Sequence, residues 1–392
     1  MRIFIISSSL TVLVLLAIEI VLVRRLIPPM IEQFHNKVSL PPPYQVRKDT
    51  EELHKRIFIA DLHADPLMWD RDLLKRYDYG HFDIPRALDG NVALQVFGVS
   101  TKNPKKQNFY RNSSNTDQAT ALVMVQAWPP RTWGSLLQRA LYQADKLKKL
   151  VLRSQGRLMP IRSVHDLDEL LVRRKAGSQV IGVFPALEGV HALEGELANL
   201  DLLYDAGFRM IGLAHFFDNE AAGSAHGMVK GGLTPFGREL IQHIQAKHLV
   251  IDLAHSSPQT IDDVLSMATS PVVLSHTGVR GTCDNPRNLS DDQARQIAAT
   301  GGVVGIAMFV EAVCGITIND TAKAIRYVSD LVGVDYVAVG SDFDGGTLTP
   351  FDVSGMALLT EALIDQGSTE EEIAKIMGGN VLRVLRQVLP KT

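Results

Sequence analysis

Cysteine is nearly absent from this 392-residue chain: only Cys283 and Cys314 occur. That excludes a small fold stapled by several disulfides and leaves room for at most one bridge. Excess charge is lacking as well, with 40 Lys and Arg against 43 Asp and Glu and a net charge of -3. Without a basic surface there is no footprint for nucleic acid, and a small, roughly neutral substrate is the default expectation. The signatures of several chemistries are also missing. There is no H-E-x-x-H helix, no G-x-S-x-G elbow, no P-loop and no dinucleotide fingerprint. What remains is an ordinary globular balance, 46% hydrophobic and 21% charged, with enough material for a sizeable core.

One stretch departs from that balance. Ile3 to Val23 is almost continuously apolar, flanked by Arg2 and by Arg24 and Arg25, and a spanning helix needs about 20 such residues. Glu19 interrupts it, and a carboxylate within a bilayer is costly. A cleaved signal peptide is the alternative, although no small-x-small cleavage site follows the run. Residues 1–26 are therefore expected to be a membrane anchor or an uncleaved signal, in effect an N-terminal hydrophobic helix. The twin arginines, taken by the positive-inside rule, would leave the body in the cytoplasm. Pro28, Pro29 and Pro41 to Pro43 predict a stiff, non-helical spacer over 27–45, with the folded body at 46–392.

Within the body, eight apolar, β-rich runs recur: RIFIADLH, VALQVFGVS, QVIGVFPALEG, FRMIGLAH, LVIDLAH, PVVLSH, GGVVGIAMF and YVAVGSDFDG. Helical patterns lie between them. In LTPFGRELIQHIQAKH, Thr234 is the expected N-cap and Pro235 the first helical residue; NDTAKAIRYVSDLVG should stop at Gly333. Continuous apolar runs, rather than alternating ones, are what parallel strands covered by helices require. Eight strand and helix units predict a (β/α)8 TIM-type barrel, with an open doubly wound sheet as the alternative. The segment from Thr101 to about Ser178 is too long for one helix and is expected to be a helical insertion.

In such a barrel the chemistry sits at the carboxyl ends of the strands. The first run ends in His63 and Asp65, the third in Glu188, the fourth in His215, the fifth in His255, the sixth in His276 and the eighth in Asp342 and Asp344. Singly, each has a dull explanation: a histidine after a strand is usually a bonded loop or core residue, and Asp61 and Asp344 suit backbone bracing. Together, imidazole and carboxylate donors suit Zn²⁺. His63 and Asp65, two apart, can hold one ion; His255 and His276 can hold a second; Glu188 can bridge, one oxygen to each, with a hydroxide shared between two ions per chain. His54, His81, His165, His191, His243 and His248 sit in polar or helical contexts and are expected to be structural. His226, in GSAHG, stays open.

The motifs DLHADP, GHFDIPR, ALEGVHAL, GLAHFFDN, GLTPFG, VIDLAHSS, VVLSHTG, DNPRNLSDD and GSDFDGG, in this order, resemble the membrane (renal-type) dipeptidases, the zinc peptidases of family M19. The resemblance implies a (β/α)8 barrel and hydrolysis of dipeptides, with tolerance of a D-residue on the carboxyl side. It implies His63 and Asp65 as ligands of the first zinc, Glu188 as the bridge, and His255 and His276 as ligands of the second. His215 would contact the substrate and its tetrahedral intermediate, Arg287 the substrate carboxylate, and Asp342 would shuttle the proton. Cys283 and Cys314 look like one disulfide pair of the secreted members, which would place the body in an oxidising compartment, against the arginine cue. The chain ends in RQVLPKT without an apolar tail, so membrane attachment is expected at the N-terminus. A homodimer is compatible with all of this. Two rivals stay open: another binuclear hydrolase acting on lactams, lactones or phosphotriesters, whose usual His-x-His opening is here His63-x-Asp65, and an inactive membrane-tethered binding module.

Overall fold

The eight apolar runs form eight consecutive parallel strands. In the computed structural model, which describes residues 26–392, they are β1 (Ile59–Ala64), β2 (Val92–Ser100), β3 (Ile181–Glu188), β4 (Met210–Gly212), β5 (Val250–Asp252), β6 (Val273–Thr277), β7 (Val303–Ile306) and β8 (Val337–Val339). Each pairs in parallel with the next. A bridge between Ala64 and Phe343 brings the last strand back to the first, with Asp65 N on the Phe343 carbonyl at 2.8 Å and Asp342 N on the His63 carbonyl at 3.0 Å. This is a nearly closed (β/α)8 barrel.

Alternate residues of each strand join different cores, as a sheet buried on both faces requires. Ala60, Leu62, Leu94, Val96, Phe184, Met210, Val250, Val273, Val303 and Ala338 form one cluster, which continues into Val381, Val384, Leu385 and Val388 of the final helix (Asn380–Val388). Their neighbours Ile59, Phe97, Ile211, Ile251, Leu274, Val304 and Val339 belong to the larger cluster packed by the surrounding helices. Asp61, wholly buried, ties the barrel shut across its seam. It accepts from Gln95 Nε2 at 2.9 Å, from Ser341 N at 2.8 Å and from Ser341 Oγ at 2.7 Å. It is the brace expected of it.

The helix punctuation also stands as expected. Thr234 caps Pro235–Ala246, accepting from Gly237 N, and Gly333 ends Ile318–Val332 at φ +96°. The insertion holds the helices Ala119–Val125, Arg131–Gly134, Leu136–Arg153 and Val164–Lys175, together with an unforeseen strand, Leu158–Pro160, beside β3.

The spacer is where sequence and structure part. The expected anchor falls on residues outside those described, and among the described residues no helix is long and apolar enough to cross a membrane. Residues 26–35, however, are helical, and Lys37–Val38 pairs with Leu348–Thr349. Buried Glu32 accepts from Arg71 Nε at 2.5 Å, and the same guanidinium pairs with Asp344. His81 Nε2 donates to the Lys37 carbonyl at 2.8 Å, and Asn36 Oδ1 accepts from Gly346 N at 2.8 Å. These tertiary bonds override the low helix propensity that Pro28 and Pro29 impose. Only the prolines at 41–43 keep the irregular backbone expected of a spacer.

Candidate metal centre

The strand ends deliver the expected residues to one place. Glu188 is the last residue of β3, His276 lies within β6, and His63 is the penultimate residue of β1. Asp65, His215, His255 and Asp342 follow the ends of β1, β4, β5 and β8. His255 and Asp342 adopt left-handed backbone, at φ +62° and +61°. Non-glycine residues pay for that conformation, and such turns cluster at functional sites.

Glu188 is the hub. Its Oε1 lies 3.5 Å from His63 Nε2, 3.2 Å from His255 Nε2 and 3.6 Å from His276 Nε2. Oε2 faces His215 Nε2 at 3.3 Å. One histidine of the first expected ligand pair and both of the second thus lie nearest the same oxygen. His63 Nε2 is also 3.2 Å from Asp65 Oδ2, and His255 Nε2 is 2.9 Å from His276 Nε2. Three groups have ligand atoms close enough to share an ion: His63, Glu188 and His276; Glu188, His215 and His255; and His63, Asp65 and Asp342.

Burial governs the charges. It holds His215, His255 and His276 well below the ordinary histidine range, helped by His191 and His226 beside His215 and by Arg287 and other histidines beside His255 and His276. They stand neutral, with ring nitrogen available as a ligand. Burial, with Asp65 and Asp342 nearby, pushes Glu188 well above the usual carboxylate range although His63 opposes it. Burial works against a charge on His63, but Asp65 and Glu188 outweigh it and raise that imidazole. The carboxylates therefore outnumber the positive charges at hand, and the cluster retains protons in their place.

This donor set fits metal ions. Convergent neutral imidazoles and mutually repelling carboxylates are costly when buried, unless protons or cations sit among them. Space is kept for the ligands too: a Cβ on Gly98 of β2 would lie 2.4 Å from Asp65 Oδ1 and 2.7 Å from His63 Nε2.

Arg287 and Asp342 complete the mouth. Arg287 donates to the His276 carbonyl at 2.5 Å and to Thr277 Oγ1 at 3.3 Å, while its buried Nε has no partner. Burial lowers its pKa to about 10, with Asp342 and Glu188 acting in the opposite direction. Asp342 is raised to about 7 by burial, with His63 lowering it and Asp65 adding to the rise. Asp344 is elsewhere engaged: besides Arg71 it accepts from His81 N at 2.5 Å, and its carbonyl accepts from Trp69 Nε1 at 2.7 Å. It braces, as expected. Cys283 and Cys314 are bonded to each other, joining the segments that follow β6 and β7.

Two supports were not singled out from the sequence. Asp252 accepts from Ser275 N at 2.8 Å and from Ser275 Oγ at 2.5 Å, and Ser275 Oγ lies 2.9 Å from His276 Nδ1. An acid inside the apolar run LVIDLAH was the available signal. Gly98, inside VALQVFGVS, was the other, since glycine within a strand marks a close approach.

Comparisons with known proteins give the family of the chain. A model of the membrane dipeptidase family, peptidase family M19, matches residues 47–390. Dipeptidase aclJ of Aspergillus oryzae is 26% identical over 374 residues, covering 88% of this chain and 83% of its own length. Dipeptidase 3 of Mus musculus is 27% identical over 347 residues, covering 83% of this chain and 68% of its own. A metallo peptidase structure from Rhodobacter sphaeroides, liganded with a phosphinate mimic of the dipeptide L-Ala-D-Ala, has a TM-score of 0.71 and 22% identity, over 85% of this chain and 99% of that one. That structural likeness shows the shared fold. The chain belongs to the membrane dipeptidase family, peptidase family M19, and is a metallo-dipeptidase, a hydrolase of peptide bonds.

Proposed function

We propose that the protein is a zinc-dependent dipeptidase with two ions per chain, His63 and Asp65 holding one, His255 and His276 the other, and Glu188 reaching both. The observation that carries this reading is the convergence of His63, His255 and His276, from three separate strand ends, on one oxygen of Glu188. Mixed imidazole and carboxylate donors suit zinc. When bound, a pair of such ions supplies Lewis acidity and makes water a nucleophile near neutral pH.

The chain's own residues supply the rest. Arg287, with a buried and unpartnered Nε, is suited to the free carboxylate of a dipeptide. Because that anchor stands beside the metal ligands, only very short peptides can place a scissile bond at the centre. His215, neutral and against Glu188, is a donor for the oxygen that gains charge as the carbonyl is attacked. Asp342, with a pKa raised to about 7, is matched to taking a proton from water and returning it to the leaving amine. The ligand of the Rhodobacter sphaeroides structure mimics L-Ala-D-Ala, which supports extending the substrate class to dipeptides with a D-residue at the carboxyl end.

Glu188→Gln is expected to abolish most dipeptide hydrolysis and to lower zinc content; unchanged rate and unchanged zinc would overturn the assignment. Arg287→Met should raise KM for free dipeptides far more than it lowers kcat, and it should spare any residual cleavage of dipeptide amides.

We further propose that residues 1–26 fasten the protein to a membrane, with the barrel on the oxidising side. The apolar run supports the first part, and the Cys283–Cys314 bond supports the second. Thiol alkylation of the full chain in intact cells tests the side: protection until reductant is added is the expected result, and free thiols would contradict it.

A further inference from the structure

His226 is a buried histidine outside the set that the strand ends supply. It is fully buried, with Phe216 stacked on its ring at 4.7 Å and Phe109 edge-on at 5.4 Å. Its two nitrogens are both used. Nδ1 lies 2.9 Å from the Phe109 carbonyl, and Nε2 lies 3.1 Å from His255 Nδ1. A carbonyl only accepts, so His226 carries its proton on Nδ1. Among the described residues no carboxylate lies within ion-pair distance of it, so the ring is neutral and Nε2 is an acceptor. His255 must then be the Nδ1–H tautomer, which leaves a lone pair on its Nε2.

The partner histidine is fixed in the same sense by different means. Ser275 Oγ donates to the Asp252 carboxylate, so it receives from His276 Nδ1–H, and His276 Nε2 also bears a lone pair. Two lone pairs thereby meet across 2.9 Å. That juxtaposition repels unless a proton held by neighbouring Glu188 or a cation is shared among them, and a metal ion taking both lone pairs is the condition of a ligand pair.

We propose that His226 is a positioning residue of the metal centre: held by the Phe109 carbonyl, it locks His255 in the Nδ1–H tautomer and so sets the affinity of the second metal. The proposal rests on the reading of His255 as a ligand. It also gives the insertion after β2 a part in the site, because Phe109 lies on that insertion and its carbonyl determines the tautomer at the far end of the relay. Partners of this kind orient ligating imidazoles and raise their basicity, and their loss typically costs about 10–100-fold in metal affinity.

The test uses the full chain and zinc alone, with affinity measured by chelator competition. His226→Leu, which leaves His255 Nδ1–H without an acceptor, should weaken one of the two zinc ions by about 10–100-fold and leave the other unchanged. His226→Gln, whose amide can both donate to Phe109 and accept from His255, should recover most of that loss. Zinc affinities in His226→Leu unchanged from the unmutated protein would overturn the proposal, as would equal losses in the Leu and Gln variants. His255→Ala separates the two levels of inference: if it still binds two zinc ions, the ligand reading itself fails, whereas loss of one ion there with none in His226→Leu refutes only the role of His226. Should His226→Leu not fold, ¹⁵N-histidine NMR of the unmutated protein decides. A protonated His255 Nδ1 is expected before and after zinc is added, and a protonated Nε2 in the metal-free protein would contradict the proposal.

Discussion

At the scale of residues, Gly98 determines whether two ligands can reach the centre at all. Gly98→Ala would set a methyl group 2.4 Å from Asp65 Oδ1 and 2.7 Å from His63 Nε2, so these side chains must move. The barrel should remain folded while zinc affinity falls at least about tenfold, comparable to the loss of an orienting partner. Metal analysis after dialysis checks this, and full zinc content would contradict it. The raised carboxylates make a second prediction. Burial keeps Glu188 and Asp342 protonated to higher pH than usual, and Glu188 must be ionised to hold metal. Zinc affinity should therefore rise with pH as Glu188 gives up its proton, a release that calorimetry in buffers of different ionisation enthalpy detects. The same shift means that unfolding of the metal-free protein releases protons. Asp342 titrates near 3.8 when free and near 7 when buried, so its stabilising contribution, full at low pH, is lost as pH climbs between those values. A flat response of both affinity and stability over that interval would contradict the electrostatics. Much of this centre was legible in the sequence, because polar residues at the ends of apolar runs are conspicuous. His226 and Asp252 were not, since each gains its meaning from a partner in another element.

At the scale of elements, the helix at 26–35 is the main departure from expectation. Nothing in its proline-bearing sequence announces it; Arg71, Asp344 and the strand at Leu348–Thr349 hold it in place. A chain beginning at residue 46 would leave Arg71 buried without Glu32. Breaking a buried pair in that way costs on the order of 3 kcal/mol. Urea denaturation of chains beginning at 26 and at 46 should show the shorter one less stable by about that amount; equal stability would show that the segment merely rests on the surface. Elements with local causes were legible by contrast. Thr234–Pro235 and Gly333 punctuate helices through their own chemistry, and the strands announce themselves because both faces are buried. Leu158–Pro160 was not legible, as three residues ending in proline make no run.

At the scale of the whole molecule, closure of the barrel brings the two ends of the body's chemistry together. His63 and Asp65 come from its first strand and Asp342 follows its last, and the backbone bonds across that seam set them side by side. Of the intervening strands, β3 to β6 contribute Glu188, His215, His255 and His276 in turn, so the centre exists only when both ends of the chain's barrel and the strands between them are assembled. Metal and fold should then be linked, with zinc stabilising the native barrel as any ligand confined to the native state does. The most direct measurement is the rate of L-Ala-D-Ala hydrolysis by metal-stripped protein as zinc is added. Activity should be absent without zinc, rise with added metal and level off at two ions per chain. Full activity in the stripped protein, or no hydrolysis at any zinc ratio, would contradict the account.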